Sequence, residues 1–325
     1  MPAAIEAGDF RAVVTGGGSG LGRAYCLDLA AAGFGHILIN DADSANAHAV
    51  AKEVEAIFAS SSSGNSKKTK PRVAVTPGRI GEESQSCEEQ ILRDCVSHFG
   101  GPPTAVVNNA GILRDAAFKN QSEAQWSDIY RVHLSGMRNL TRLLWPHFLE
   151  QKFGKIVNIS SMNGVCGAFG QSNYAAMKTA LIGFTKSLAK EGKKNNVCAN
   201  VIIPTALTAM TKTVGLQHYT DNAGPQHVAP LVTFLLHPSS NHVTGRVFEG
   251  APGFYAELRF QRSFGKYFAE ETRQQPRVRQ RPVTWEDIRD NWKDITLFDE
   301  RADDPSQESG PPRSLKLAVK HDAKL

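Results

Sequence analysis

RAVVTGGGSGLGR, Arg11 to Arg23, is a β-branched run followed at once by a glycine cluster and then by residues of helical character. Strand, glycines and helix in that order make a phosphate-binding turn. Gly16, Gly20 and Gly22 allow a tight turn that brings backbone amides and a helix N-terminus close to a pyrophosphate, and Ser19 and Leu21 complete the loop. Asp41 ends the next apolar run, HILIND, about 20 residues beyond the last glycine, which is the spacing that ribose recognition requires. Its carboxylate accepts bonds from a 2′-hydroxyl and repels a 2′-phosphate, so NAD is expected over NADP. Arg23, a cation near the loop, is the contrary sign and reads equally well as a helix-surface residue.

The pattern set by this stretch repeats along the chain. RAVVT, HILIN, RVAVT, TAVVN, KIVNIS, VCANVII and GRVFEG are short, nearly continuous apolar runs, and longer amphipathic segments separate them. Such strands belong to a parallel sheet covered on both faces. The expected fold is therefore α/β, a doubly wound Rossmann arrangement with a mostly parallel central sheet. It is expected over residues 1–265, with 266–325 a C-terminal extension. SSSSGNSKKTK, Ser60 to Lys70, reads as a surface loop inserted before the third strand. In the extension, Trp285 to Ile295 reads as one amphipathic helix, and the polar stretch after it as largely disordered.

Composition excludes several classes. The 325 residues are 41% hydrophobic and 21% charged, enough for a large core, and the net charge of +5 is spread along the chain. No basic stripe with interleaved aromatics points to nucleic acid. No apolar run is long enough for a membrane helix, and MPAAIEAGDF is not a secretory leader. Five cysteines without CxxC spacing fit free buried thiols, and His218, His227, His237 and His242 fall in no metal-ligand spacing, so no metal is expected.

YAAMK, Tyr174 to Lys178, places a phenol and an ammonium one helical turn apart. A phenol titrates near ~10, and holding it near ~7 takes roughly 4 kcal/mol of preference for the phenolate. A cation about 4.5 Å away at an effective dielectric of ~20 supplies close to that amount. The pair alone reads as readily as a packed ring beside a solvated stem.

With the glycine loop, NNAG at Asn108 to Gly111, the serine of NISSMNG and YAAMK together, roughly the first 260 residues resemble the short-chain dehydrogenase/reductase family. NNAGILRDAAF, RVHLSGM, FGQSNYAAMK, VAPLVTFLLHP and FEGAPGFYAELRF are similar to one branch, the (3R)-hydroxyacyl-CoA dehydrogenase domains of peroxisomal multifunctional β-oxidation enzymes. The resemblance implies an oxidoreductase in which Tyr174 is the general base and Lys178 lowers its pKa and binds the nicotinamide ribose. Ser161, thirteen residues before Tyr174, would hold the substrate oxygen, and Asn108 would help bind the cofactor. It implies NAD-dependent oxidation of an acyl-CoA thioester alcohol, nicotinamide C4 taking the hydride, and a homodimer. A reductase for a polyketide or steroid-like ketone and a non-catalytic NAD-binding scaffold stay open as alternatives.

Four departures from the family pattern stand near the expected site. His133 replaces an asparagine that extends a proton relay in most relatives, and reads evenly as relay or packing. TPGRI has Gly78 where an aspartate contacts adenine, with Arg79 beside it as a possible stacking partner. Ala116 and Ala117 replace a more polar pair, and PTAL lacks the Pro-Gly of the wider family. Where the multifunctional enzymes continue into further domains this sequence stops, which reads as a stand-alone dehydrogenase. Its last residues, Ala323, Lys324 and Leu325, are a conservative variant of the SKL address, so a peroxisomal import receptor and a peroxisomal location are expected.

Overall fold

Four neighbouring strands, β1 (Arg11–Thr15), β2 (His36–Asp41), β3 (Arg72–Pro77) and β4 (Ala105–Asn108), set the order of the sheet, because β1 pairs in parallel with both β2 and β4. The chain thus winds outward from β1 in one direction and then reverses. With β5 (Gly154–Ile159), β6 (Val197–Pro204), β7 (Val247–Ala251) and β8 (Phe254–Leu258) the order is β3-β2-β1-β4-β5-β6-β7-β8. All pairs are parallel except β7 with β8. That last strand is an addition to the seven read from sequence: β8 returns along β7 as a hairpin whose turn carries Gly253 at φ +71°. Its alternation is poor and its residues are mostly exposed, so it lacks the apolar run that marks the others.

The computed structural model describes residues 9–60, 70–208, 223–266, 268, 283–299 and 302. The loop expected at Ser60 to Lys70 lies almost wholly outside them, as do His218, the tail after residue 302 and the terminal tripeptide. The chain divides into two compact units, Met1–Leu258 and Arg259–Leu325.

Alternation along the buried strands explains the two helical layers. Ala12 and Val14 of β1 face one core and Val13 the other; Ile37 and Ile39 against Leu38, and Ala105 and Val107 against Val106, do the same. The first core is closed by α1 (Gly20–Ala31), α2 (Ser44–Ser60) and, later in the chain, the helix Ala229–Leu236. The second is closed by α3 (Ser86–Phe99), by the helix Met137–Glu150 and by the long helix Ser172–Gly192. In chain order the helices after α3 are α4 (Glu123–Tyr130), α5 (Met137–Glu150), α6 (Asn163–Cys166), α7 (Ser172–Gly192) and α8 (Ala229–Leu236). Between α4 and α5 the backbone widens into a π-turn, Arg131–Gly136.

Cys26, Cys87, Cys95 and Cys198 are buried free thiols, as expected, whereas Cys166 is exposed. Among the described residues no cluster of three His, Cys, Asp or Glu side chains could hold a metal, and no helix is long and apolar enough to cross a membrane. In the second unit the single helix expected from Trp285 to Ile295 is two, α9 (Trp285–Asp290) and α10 (Trp292–Thr296). Thr284 and Asp287 form a capping box at the start of α9, and Asn291, at φ −108° and ψ 16°, interrupts the helix.

Candidate active site

At the point where the strand order reverses, the loops after β1 and β4 part and leave a crevice at the carboxyl ends of the strands, the place where doubly wound folds bind ligands. A cavity of about 440 Å³ lies there. Its walls come from the glycine loop, the ends of β2 and β3, the segment after β4, and the residues that follow β5 and β6. Gly16, Ser19, Gly20, Leu21, Asp41, Ser161, Tyr174 and Lys178 all line it. Gly22 and Asn108 do not.

The glycine-loop end of the cavity is built by close approach. A Cβ on Gly16, which sits at φ +62°, would lie 2.8 Å from Ala110 Cα, so only glycine lets the two loops meet. Gly22 is buried beneath them: a Cβ there would come within 2.0 Å of the Gly16 carbonyl oxygen, so its role is to seat the first turn of α1 against the loop. Ser19 is the N-cap of α1 in extended conformation, and its side chain makes no capping bond. The amides of that turn therefore lack the usual side-chain acceptor, which suits an incoming phosphate. Asp41 holds this end in shape, accepting from Gly18 N–H (2.8 Å) through Oδ2 and from Asp43 N–H (2.9 Å) through Oδ1. Arg23 points elsewhere, in a bidentate ion pair with Glu53 of α2, so it offers no charge to the loop.

Gly78 has a structural reason to stand where an aspartate is expected. Its φ is +138°, and a Cβ would lie 2.9 Å from Cys87 Sγ, so a larger residue is excluded on both counts. Asn40 fixes this wall by donating Nδ2 to the carbonyls of Thr76 and Gly78, both at 3.0 Å. Arg79 lines the same wall.

Asn108 is fully buried below the crevice, where Nδ2 donates to Asn158 Oδ1 (2.7 Å) and Thr141 Oγ1 (3.1 Å). Asn158 continues to Thr185 Oγ1 at 2.8 Å, so a buried polar chain ties α5, β4, β5 and α7 together. Of the two asparagines of NNAG the one that lines the cavity is Asn109, whose Nδ2 donates to the carbonyls of Thr15 and Gly16. Side-chain direction alternates along a strand, so the motif alone does not tell which asparagine faces in.

The opposite end gathers Tyr174, Lys178, Ser161 and His133. Helical spacing puts Lys178 Nζ 5.5 Å from the centre of the Tyr174 ring. Nζ is buried and donates to the Ile159 carbonyl at 2.6 Å, and burial without a carboxylate pushes its pKa down to about 7. The expectation that Lys178 depresses the Tyr174 pKa is not met. Tyr174 is shifted upward, because burial disfavours phenolate and the Asp115 charge adds to it, while a bond from Ser161 acts in the opposite direction. With its own pKa pushed down to about 7, the Lys178 amine is only partly charged near neutral pH, and burial of the phenol outweighs it.

His133 is 1% exposed and packs edge-on to Tyr174, ring centres 5.2 Å apart at 81°. Its Nε2 lies 3.0 Å from the Ile112 amide nitrogen and 2.8 Å from the Ile112 carbonyl. Burial first, then the Lys178 charge, push its pKa well below the ordinary histidine value, so the ring is neutral. His133 also lines the cavity, and its buried Nδ1 has no hydrogen-bond partner. Ser160, absent from the sequence reading, caps the arrangement by donating Oγ to the Lys178 carbonyl at 2.7 Å. Chemically, the constellation offers a phenol, a hydroxyl hydrogen-bonded to it and a poised amine at the inner end of a dinucleotide-sized crevice.

Comparison with known proteins agrees with this arrangement. The family profile for short chain dehydrogenase matches residues 11–218. The chain is 36% identical over 299 residues to the peroxisomal hydratase-dehydrogenase-epimerase of Neurospora crassa, covering 92% of this chain and 30% of that protein. It is 36% identical over 286 residues to mouse peroxisomal multifunctional enzyme type 2, covering 88% and 36%. It thus spans about a third of the length of these two relatives. The full-length multifunctional enzyme type 2 structure from Drosophila melanogaster superposes with a TM-score of 0.68 at 28% identity, over 97% of this chain and 49% of that one.

Proposed function

The chain belongs to the short-chain dehydrogenase family, an oxidoreductase acting on hydroxyl groups, and from that premise we propose that it oxidises a (3R)-hydroxyacyl-CoA to the 3-oxoacyl-CoA with NAD. The observation that carries the reading is the meeting of Tyr174, Ser161 and Lys178 in the cavity whose other end is the glycine loop. The substrate class rests on the resemblance to the hydroxyacyl-CoA dehydrogenase branch, and the names of the relatives above support a peroxisomal location. A homodimer is part of the same reading, on the family resemblance.

In this mechanism the uncapped first turn of α1 and the loop of Gly16 and Gly20 would hold the pyrophosphate, and Asp41 would take the adenosine ribose. A bound nicotinamide would supply the hydride acceptor and, in its oxidised form, a positive charge. Ser161 holds the substrate hydroxyl oxygen against the Tyr174 oxygen, and Tyr174 accepts its proton as general base. Lys178, anchored on the Ile159 carbonyl, fixes a donor at the ribose and adds its charge when protonated. Because burial raises the phenol pKa here, proton acceptance depends on added positive charge in the site rather than on Lys178 alone.

NAD is favoured over NADP because Asp41 stands at the ribose end and Arg23 is neutralised by Glu53. The test is a panel of 3-hydroxyacyl-CoA thioesters of both configurations, polyketide-like and steroid-like alcohols, and free alcohols, each with NAD and with NADP, followed by absorbance of the reduced cofactor. Oxidation of the (3R) thioesters with NAD is expected, with the preference eroded in Asp41→Ser. Turnover confined to non-thioester alcohols, or equal use of both cofactors by the unaltered protein, counts against the reading.

A further inference from the structure

Two phenylalanines stand in water, one on the loop between Ser161 and Tyr174 and one on the turn Phe118–Asn120: Phe169 is 95% exposed and Phe118 is 77% exposed. Single exposed rings are ordinary on protein surfaces. These two differ in how they are held. The Ala116 amide donates to the Gly170 carbonyl at 2.9 Å, joining the segment before Phe118 to the loop that bears Phe169. Gln171 reinforces the join, donating Nε2 to Asp115 Oδ2 (2.9 Å) and accepting from Asn163 Nδ2 (2.6 Å). Asn163 N–H donates in turn to Ser161 Oγ at 3.2 Å, and Ser161 is bonded to Tyr174. Ser172 adds a second tie, from Oγ to Gln121 Oε1 at 3.1 Å.

The segments that bear the two rings are therefore joined to each other at Ala116–Gly170 and Gln121–Ser172, and Ser161 is tied to the same set through Asn163 and Gln171. Gly167 and Gly170, at φ +74° and +77°, bracket Phe169 and allow a turn that leaves its ring unpacked. The segment from Ser161 to Gln171 contains no charged residue, and the one carboxylate that faces it, Asp115, is engaged by Gln171. Nearby Arg114 is paired with Asp128. The uncharged loop carries one bare ring, the adjoining segment carries the other next to Lys119, and their place beside a hydroxyl-binding pair suits an aliphatic chain.

We infer that Phe118 and Phe169 form a lip over which the aliphatic tail of the substrate lies, so that the protein discriminates in favour of longer acyl chains. This rests on the hydroxyacyl reading above. Each methylene taken out of water between such rings favours binding by about two- to fourfold, the lower figure where one side stays wet.

The experiment uses the full chain and a series of (3R)-3-hydroxyacyl-CoA thioesters from butanoyl to hexadecanoyl length, comparing the unaltered protein with Phe118→Ala/Phe169→Ala and with Phe169→Leu. In the unaltered protein kcat/KM is expected to climb with chain length; in the double alanine variant the long-to-short ratio falls by about tenfold or more, and in Phe169→Leu most of it is kept. Thermal unfolding should be unchanged, because neither ring is packed. An undiminished slope in the double variant overturns the inference, as does an equal loss at every length, which would assign the rings to loop structure or to a contact with a second copy. Calorimetric binding of dodecanoyl-CoA, which has no hydroxyl to oxidise, separates the two readings. Tail-dependent affinity that is lost in the double variant supports the lip even if no thioester is turned over, which would defeat the catalytic reading alone. Turnover without any tail dependence overturns the lip and leaves that reading standing.

Discussion

Lys178 shows how the environment, rather than residue type, sets a side chain's behaviour. Folding takes its amine from about 10.4 in the unfolded chain to about 7. Between these values the unfolded chain holds a proton that the folded chain has released, so this group makes stability rise with pH across the window, and its cost is fully present below about 7. Lys178→Met should therefore gain about 1–3 kcal/mol at pH ~6, after allowing for the lost bond to Ile159, and the gain should fade toward pH ~10. Urea titrations at several pH values measure it; a variant no more stable than the parent at low pH would show that the amine stays protonated and hydrated in the folded chain. At the neighbouring Tyr174, Tyr174→Phe keeps the ring against His133 and removes only the oxygen. Turnover should fall by about 10³-fold or more while fluorescence titration with NADH shows near-normal affinity. Substantial turnover by the Phe variant would remove Tyr174 from the chemistry.

Among the elements, the π-turn Arg131–Gly136 joins the two ends of the site. It carries His133 against Tyr174, and its first carbonyl rests on the loop after β3. Gly81 makes that contact possible: φ is +87° and a Cβ would lie 2.1 Å from the Arg131 carbonyl oxygen. Buried Glu88 holds Gly81 from the other side, accepting its N–H at 2.8 Å. Gly81→Ala must either displace the π-turn or strain the loop, and should cost about 2–4 kcal/mol in denaturant unfolding, with a loss of turnover larger than the loss of dinucleotide binding. None of this was legible in RVHLSGM, because a helix that widens by one residue leaves the hydrophobic period almost intact. The glycine loop was legible for the opposite reason: its turns at Gly16 and Gly20 and the seating of Gly22 on Gly16 are local, and only the approach of Gly16 to Ala110 reaches across the chain.

For the whole molecule, the reversal of strand order between β1 and β4 places one dinucleotide-sized cavity at one edge of the sheet. Assembly belongs to this scale. If the homodimer expected from the family resemblance forms, light scattering at micromolar concentration should give twice the chain mass, and a monomeric mass would contradict it. The face of α7 at Ala176, Gly183 and Ser187 is exposed, with open space beside Gly183, and so gives a partner helix room to approach.

Sequence alone determined the fold class, because seven runs of buried-strand character separated by amphipathic segments admit few packings other than a covered parallel sheet. It determined the Tyr174–Lys178 pair and the glycine loop, since one helical turn and one strand–turn–helix unit fix their neighbours locally. Tertiary structure alone decided which of Asn108 and Asn109 faces the cavity, that Arg23 is bound to Glu53, and that Gly22 packs rather than lines. It also decided that Tyr174 is shifted upward and Lys178 downward. These outcomes depend on which groups from distant segments arrive beside a side chain and how much water they exclude, and neither is encoded in the spacing of residues along one segment.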